Sequence, residues 1–264
     1  MYFYLYDSFL QEKRYIKKLA EIEGRLIDLM IQGKIIKLNI LSHIKELIYS
    51  AVRAGAETVV VLGDDKTISQ AIASVVNLDI TLGIIPLGRK NSLGKLLGIP
   101  KGLKACEILA KRIKERIDVA RVNGNYFAFC LKALSPYIKI FSPDNQYCLS
   151  LLSPKMEVSV YNFKPSGVKL KANQPMADFF IPQDGYMELV VKDLSCPINK
   201  ILFKKKGEIG SYTILPFKHI RLEPSVLKKD VRLLLDGYKI IKAPVEIDVL
   251  AGKISVIVGR ERQF

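Results

Sequence analysis

Histidine, cysteine and tryptophan are scarce in this chain: 264 residues contain two histidines (His43, His219), four cysteines and no tryptophan. The cysteines, Cys106, Cys130, Cys148 and Cys196, stand far apart and form no C-x-x-C pair. They read as buried free thiols and exclude a disulfide scaffold. Two histidines poorly supply either a zinc site or a Ser-His-Asp triad. No long apolar run is present either. The longest weakly charged stretch, Thr67 to Gly88, is broken by Asp79, Gly83 and Pro86, so no transmembrane helix is expected. Met1 to Leu10 is aromatic and apolar, but Asp7 interrupts it and no small-residue cleavage site follows, so no signal peptide is expected. The expected location is the cytoplasm, with peripheral contact to a membrane.

Acidic residues are the minority charge. The chain has 41 Lys and Arg against 26 Asp and Glu, a net charge of +15. Such a balance suits a polyanionic partner. The basic residues are spread out, at Lys111, Arg112, Lys114 and Arg116, at Lys204 to Lys206, and at Lys228 and Lys229. No recognition-helix signature or aromatic RNA-binding motif accompanies them, which ranks an anionic membrane surface above nucleic acid. A plain solvated basic surface is the bland alternative. Apolar residues make up 49%, so disorder is not the reading, and the length suits two modest domains.

The periodicity changes once along the chain. Up to about residue 117, strands alternate with helices. Tyr2–Tyr6, Ile35–Ile40, Thr58–Leu62 and Ile80–Ile85 read as strands. Glu12–Met30, Ser42–Arg53, Ile68–Val76, a short helix after Ser92 to Leu97 and Leu103–Arg116 read as helices, with Ser42 as an N-cap and Gly33 and Gly55 as stops. The pattern argues for a doubly wound, mostly parallel sheet over 1–117. From 118 to 264 the texture is all-β. Strands are expected at 118–131, 157–163, 168–172, 186–191, 212–214, 219–223, 231–235, 245–250 and 254–258, with turns at Asp184-Gly185, Asp236-Gly237 and Ala251-Gly252. The fold class is therefore α/β plus all-β, an N-terminal nucleotide-binding domain followed by a β-sandwich.

Two loops carry the chemistry. Gly63-Asp64-Asp65-Lys66-Thr67 joins a Val-rich strand to a helix, a context in which backbone N–H groups and the helix dipole attract phosphate. Pro86-Leu87-Gly88-Arg89-Lys90-Asn91-Ser92 follows the next strand and leads to Leu97-Gly98-Ile99-Pro100. Together these segments resemble the catalytic domain of the diacylglycerol kinase family, lipid kinases that read G-G-D-G-T and then P-L-G-T-G-N-D-F-A-R-x-L-G-I-P. Asn123-Gly124-Asn125-Tyr126-Phe127, Asp184-Gly185-Tyr186-Met187-Glu188 and Asp236-Gly237-Tyr238 resemble the family's later motifs, so the likeness runs from about 57 to 258. The family's N-P near the first strand is not visible.

The resemblance implies ATP, Mg²⁺ and a lipid substrate, with phosphoryl transfer to a lipid hydroxyl. It implies nucleotide contacts at Gly63, Asp65, Thr67, Gly88 and Asn91, joined here by Lys66 and Arg89. Asp184 would serve the metal, and Asp236 and Tyr238 stand at the catalytic D-G-E hairpin. Several family residues are replaced. The second glycine is Asp64 and the fourth position Lys66. Arg89, Lys90 and Ser92 stand for Thr, Gly and Asp, Gln70 stands for a Glu, and Tyr238 replaces the proposed general base. Non-glycine residues in such loops are expected to cost about 1–2 kcal/mol where the backbone is left-handed. Asp64 is expected to repel a triphosphate. Lys66, Arg89 and Lys90 are expected either to pair with Asp64 and Asp65, plugging the site, or to hold phosphate themselves. Impaired lipid kinase activity is the first expectation. A pseudokinase binding lipid, membrane or a protein is the second, and an NAD kinase-like enzyme the third.

Overall fold

The computed structural model describes residues 1–39, 43–143, 147–151, 153, 155–165, 179–193, 212–226 and 230–264. Ser42, the expected strand at 168–172, Cys196, Lys204 to Lys206 and Lys228 to Lys229 lie outside these residues. Two compact units emerge: Met1–Ile117 together with Gly252–Phe264, and Asp118–Ala251. The sequence expectation ran the second domain to 264, whereas the last segment groups with the first unit. The reason is one strand. Val245–Ile257 is continuous, so the expected turn at Ala251-Gly252 is absent. Gly252 passes through at φ 53°, and the chain beyond it pairs Ser255 and Val256 in parallel with Thr81 and Leu82.

In the first unit, β1 (Tyr2–Tyr6), β2 (Lys34–Lys37), β3 (Thr58–Gly63) and β4 (Thr81–Pro86) form parallel pairs in the order β2-β1-β3-β4. β3 and β4 are buried along their whole length, as their unbroken Val, Leu and Ile runs require in a sheet covered on both sides. The helices are α1 (Ile16–Asp28), α2 (Ile44–Arg53), α3 (Asp65–Val75), α4 (Ser92–Leu96) and α5 (Lys104–Lys111). α1 packs with α5 and α2 with α3. The chain leaves β1 toward one edge and returns to its other side through α2, so the ends of β1 and β3 flank a topological switch point, where α/β sheets place ligands.

The expected long helix from Glu12 is shorter. Two 3₁₀ turns, Ser8–Gln11 and Lys13–Tyr15, precede α1, and only Ile22 and Leu26 of its apolar face are buried; Ile16 is 61% exposed. Gly33 serves close packing: a Cβ there would lie 2.1 Å from the carbonyl oxygen of Tyr2. The helix expected to reach Arg116 ends at Lys111, where Arg112 turns left-handed (φ 53°), and β5 (Lys114–Val122) begins.

The second unit is β-rich. A six-stranded antiparallel sheet runs β12-β11-β10-β7-β14-β15. Its strands are Tyr212–Phe217, Met187–Asp193, Met156–Tyr161, Cys130–Ala133, Arg232–Leu235 and Lys239–Lys242, in that order. β6 (Asn125–Phe127), β8 (Ile138–Phe141), β9 (Cys148–Ser150), β13 (His219–Pro224) and the first half of β16 (Val245–Ile257) supply further antiparallel pairing. One core cluster joins Leu131, Val160, Leu189 and Leu233 to Ile140, Leu222 and Ile247, so two layers share an apolar interior, as in a sandwich. Cys106 is buried as expected, but Cys130 is half-buried and Cys148 exposed.

Candidate phosphate-loop site

The site is built at the C-terminal ends of β1, β3 and β4. Helix α3 starts at Asp65, three residues earlier than its apolar spacing indicated, because Asp64 caps it. One carboxylate oxygen of Asp64 accepts the backbone N–H groups of Lys66 at 3.0 Å and Thr67 at 3.3 Å. Asp64 has φ −92° and ψ 179°, ordinary extended backbone, and neither Lys66, Arg89 nor Lys90 has a positive φ. The expected left-handed strain at these replaced positions is therefore absent. Gly88 keeps a positive φ of 89°, and a Cβ there would lie 3.0 Å from the Phe9 ring and 3.3 Å from Asp64 Cβ.

Asp65 caps the second loop. Its carboxylate accepts the N–H of Ser92 at 2.9 Å and of Leu93 at 3.0 Å, the first residues of α4. Its own N–H donates to the Lys90 carbonyl at 3.2 Å. Asn91 Nδ2 donates to the Gly88 carbonyl at 3.0 Å and steadies the turn. Thus the helix-start amides of both loops are occupied by carboxylates of the chain itself. An aspartate at such a position satisfies the orphan N–H groups and suits the helix dipole, in the place a bound phosphate would take.

The expected plug of paired charges takes a different form. Lys66, Arg89 and Lys90 are exposed and make no ion pair among the described residues, while Asp64 and Asp65 are spent on amides. Sequence reasoning missed Asp7. It ends β1, is 9% exposed, and accepts a hydrogen bond from the Thr67 hydroxyl. Gly63 is buried beside this pair: a Cβ there would lie 3.0 Å from Thr67 Cβ and 3.1 Å from the Asp7 carboxylate. The available signal was positional, an acid at the end of the first strand.

The remaining expected residues belong to the second unit. Asp236 and Gly237 form the turn between β14 and β15, with φ 45° and 73°, the left-handed pair that such hairpins favour. The Asp236 carboxylate accepts the N–H groups of Ala128 (3.1 Å), Phe129 (3.0 Å) and Cys130 (2.8 Å). Burial pushes it up to about 6 against the pull of these three donors. Its geometry is that of a turn-locking residue. Tyr238 closes the same turn, its N–H donating to Leu235 at 3.0 Å. Burial and then the Asp236 charge push its phenol up to about 12, which makes it a weaker base still at neutral pH. Of the acids that follow in sequence, Glu246 is exposed, and Asp248 is engaged by His219 and Arg121.

Asp184 is exposed and its Oδ1 accepts the Tyr186 N–H at 2.8 Å, a local turn. Gly185 donates to Asp118 at 2.8 Å. Glu188 behind it is 1% exposed, and burial, with help from Asp184 and Asp118, pushes its carboxyl up to about 7. Among the described residues no three His, Cys, Asp or Glu side chains are arranged to hold a metal ion. A Mg²⁺ held by one or two carboxylates and a nucleotide's own phosphates needs no such cluster, and the carboxylates of Asp64 and Asp65 occupy the Lys66, Thr67, Ser92 and Leu93 amides that a phosphate would use.

The diacylglycerol kinase catalytic domain family matches residues 5–122, the stretch that carries both loops and Asp7. The match covers less than half of the 264-residue chain, and over that stretch the chain is similar to the family. A diacylglycerol kinase of Bacillus subtilis is 36% identical over 75 residues, 27% of this chain and 25% of its own. One from Mycobacterium tuberculosis is 36% identical over 83 residues, 31% of this chain and 27% of its own. The aligned segments thus span about a quarter of the length of these relatives. Over the whole chain, the crystal structure of a diacylglycerol kinase from Bacillus anthracis superposes with a TM-score of 0.76, covering 98% of this chain and 97% of that one at 18% identity. At that identity the likeness establishes the fold, α/β followed by a β domain. The family match also begins at residue 5, where motif reading found only an order of elements.

Proposed function

We propose that this chain is a lipid kinase of the diacylglycerol kinase type whose use of ATP is impaired. The family match and the two phosphate loops support the type. One observation supports the impairment: Asp64 and Asp65 hold the four backbone N–H groups of Lys66, Thr67, Ser92 and Leu93. Like charges at about 4 Å repel by roughly 4 kcal/mol near a protein surface, so a triphosphate must displace these carboxylates before it reaches the amides. The partners on this reading are a nucleotide held weakly, a lipid carrying a free hydroxyl and an anionic membrane surface reached from the cytoplasm.

The complete pseudokinase is the limit of the same reading. It is favoured by Asp236, committed to three amides, and by Tyr238, protonated at neutral pH. The family match favours a lipid kinase over the NAD kinase-like alternative. The test is a phosphoryl-transfer assay on diacylglycerol vesicles with ATP and Mg²⁺, run on the native chain and on Asp64→Gly. A slow native rate that rises in the variant supports impaired catalysis. No rate in either supports the pseudokinase, and a fast native rate overturns both.

A further inference from the structure

The replaced loop residues leave three cations without acidic partners among the described residues. Lys66 lies in the first turn of α3, and Arg89 and Lys90 follow Gly88 in the second loop. The loops are held together by the Asp65 N–H on the Lys90 carbonyl and by the Asp65 carboxylate on Ser92 and Leu93. The neighbouring acids, Asp64 and Asp65, are turned onto amides. Lys66 and Lys90 thus stand on backbone segments tied together through Asp65, with Arg89 next to Lys90, and all three side chains are exposed.

We propose that Lys66, Arg89 and Lys90 form a side-chain site for a phosphate monoester, carried by a lipid headgroup or by a small soluble compound. Arginine offers a planar fork that matches phosphate oxygens, and the lysines are mobile point charges. A monoester dianion brings at most two negative charges to these three cations. A triphosphate has to bring its further charge against the Asp64 and Asp65 carboxylates. The inference rests on the reading that the amides are closed, and it concerns what the same loops bind in place of ATP.

The test uses the whole chain and three ligands: phosphatidylcholine vesicles with phosphatidic acid, vesicles of equal surface charge with phosphatidylserine, and glycerol 3-phosphate in solution. A triple Lys66→Gln, Arg89→Gln, Lys90→Gln variant is compared with Arg53→Gln, Lys111→Gln, Lys114→Gln. The comparison variant has the same net charge and lies at the last turns of α2 and α5 and the start of β5. All six side chains are exposed, so both variants should fold. The loop triple is expected to weaken phosphatidic acid binding at least about tenfold more than the comparison triple, since a basic residue near such a surface contributes about 1 kcal/mol. Preference for phosphatidic acid without glycerol 3-phosphate binding assigns the bilayer as source; binding of both assigns the monoester itself. Equal loss in the two triples, equal binding to phosphatidylserine, or no binding overturns the proposal. ATP titration of the same samples separates this result from the closed-loop reading.

Discussion

The Asp65 carboxylate accepts the Leu93 N–H at 3.0 Å, so an acid of the first phosphate loop caps the helix of the second. The two loops therefore behave as one element. Asp65→Ala removes the caps on Ser92 and Leu93 and should cost about 1 kcal/mol, the usual value of an N-cap. Asp65→Asn should retain part of it. Denaturant titration of the two variants checks the order; equal loss in both would show that the charge, not the hydrogen bonding, holds the loops.

Thr67 presents its hydroxyl to the buried carboxylate of Asp7, joining the start of α3 to the end of β1. Asp7 also accepts the Ser8 hydroxyl at 3.3 Å, so the acid keeps a secondary partner. Thr67→Val should still cost about 1–3 kcal/mol, because a buried acceptor loses its closest donor. Thr67→Ser should restore most of it. A Val variant as stable as the native chain would remove this pair from the account.

Glu188 sets a pH dependence. Its folded value is raised by burial from 4.5 to about 7, with Asp184 and Asp118 adding to the rise and the Phe180 N–H opposing it. The folded chain then holds a proton that the unfolded chain releases, so this contribution falls as pH rises from 4.5 through 7. At about 1.4 kcal/mol per unit the cost at pH 8 is about 3 kcal/mol. Glu188→Gln should remove it. Measured against the variant, the native chain should lose about that much between pH 5 and pH 8; a pH-independent difference would contradict the assignment.

The motif resemblance expects a base at the position of Tyr238, whose phenol burial pushes up to about 12. Tyr238→Phe should leave any phosphoryl-transfer rate within about twofold of native, since a group protonated at neutral pH supplies no base catalysis. A fall of tenfold or more would assign it a role.

Much of this was legible beforehand, and the misses have physical causes. The buried runs of β3 and β4 and the loops after them carry strong local signals, so the fold and the two loops could be read directly. The start of α3 was misplaced because apolar spacing begins at Ile68, whereas the helix begins where Asp64 caps it. The glycine replacements looked strained because motif reading assumes the family's backbone, while Asp64 is extended. Asp236 was expected at a catalytic hairpin by position, and its left-handed turn with Gly237 and its three amide contacts give it a structural task that the motif alone did not reveal. The ion pairs expected around Asp64 and Asp65 failed because backbone N–H groups competed for the same carboxylates. Asp7 was invisible because its partner, Thr67, is 60 residues away.

The central claim is that the chain closes its own phosphate loops, and calorimetry with ATP, with and without Mg²⁺, tests it most directly. The native chain should bind ATP no more tightly than about millimolar, and Asp64→Gly, which frees the Lys66 and Thr67 amides, should bind at least about tenfold more tightly than native, about 1.4 kcal/mol. Micromolar, Mg²⁺-dependent binding by the native chain would contradict it.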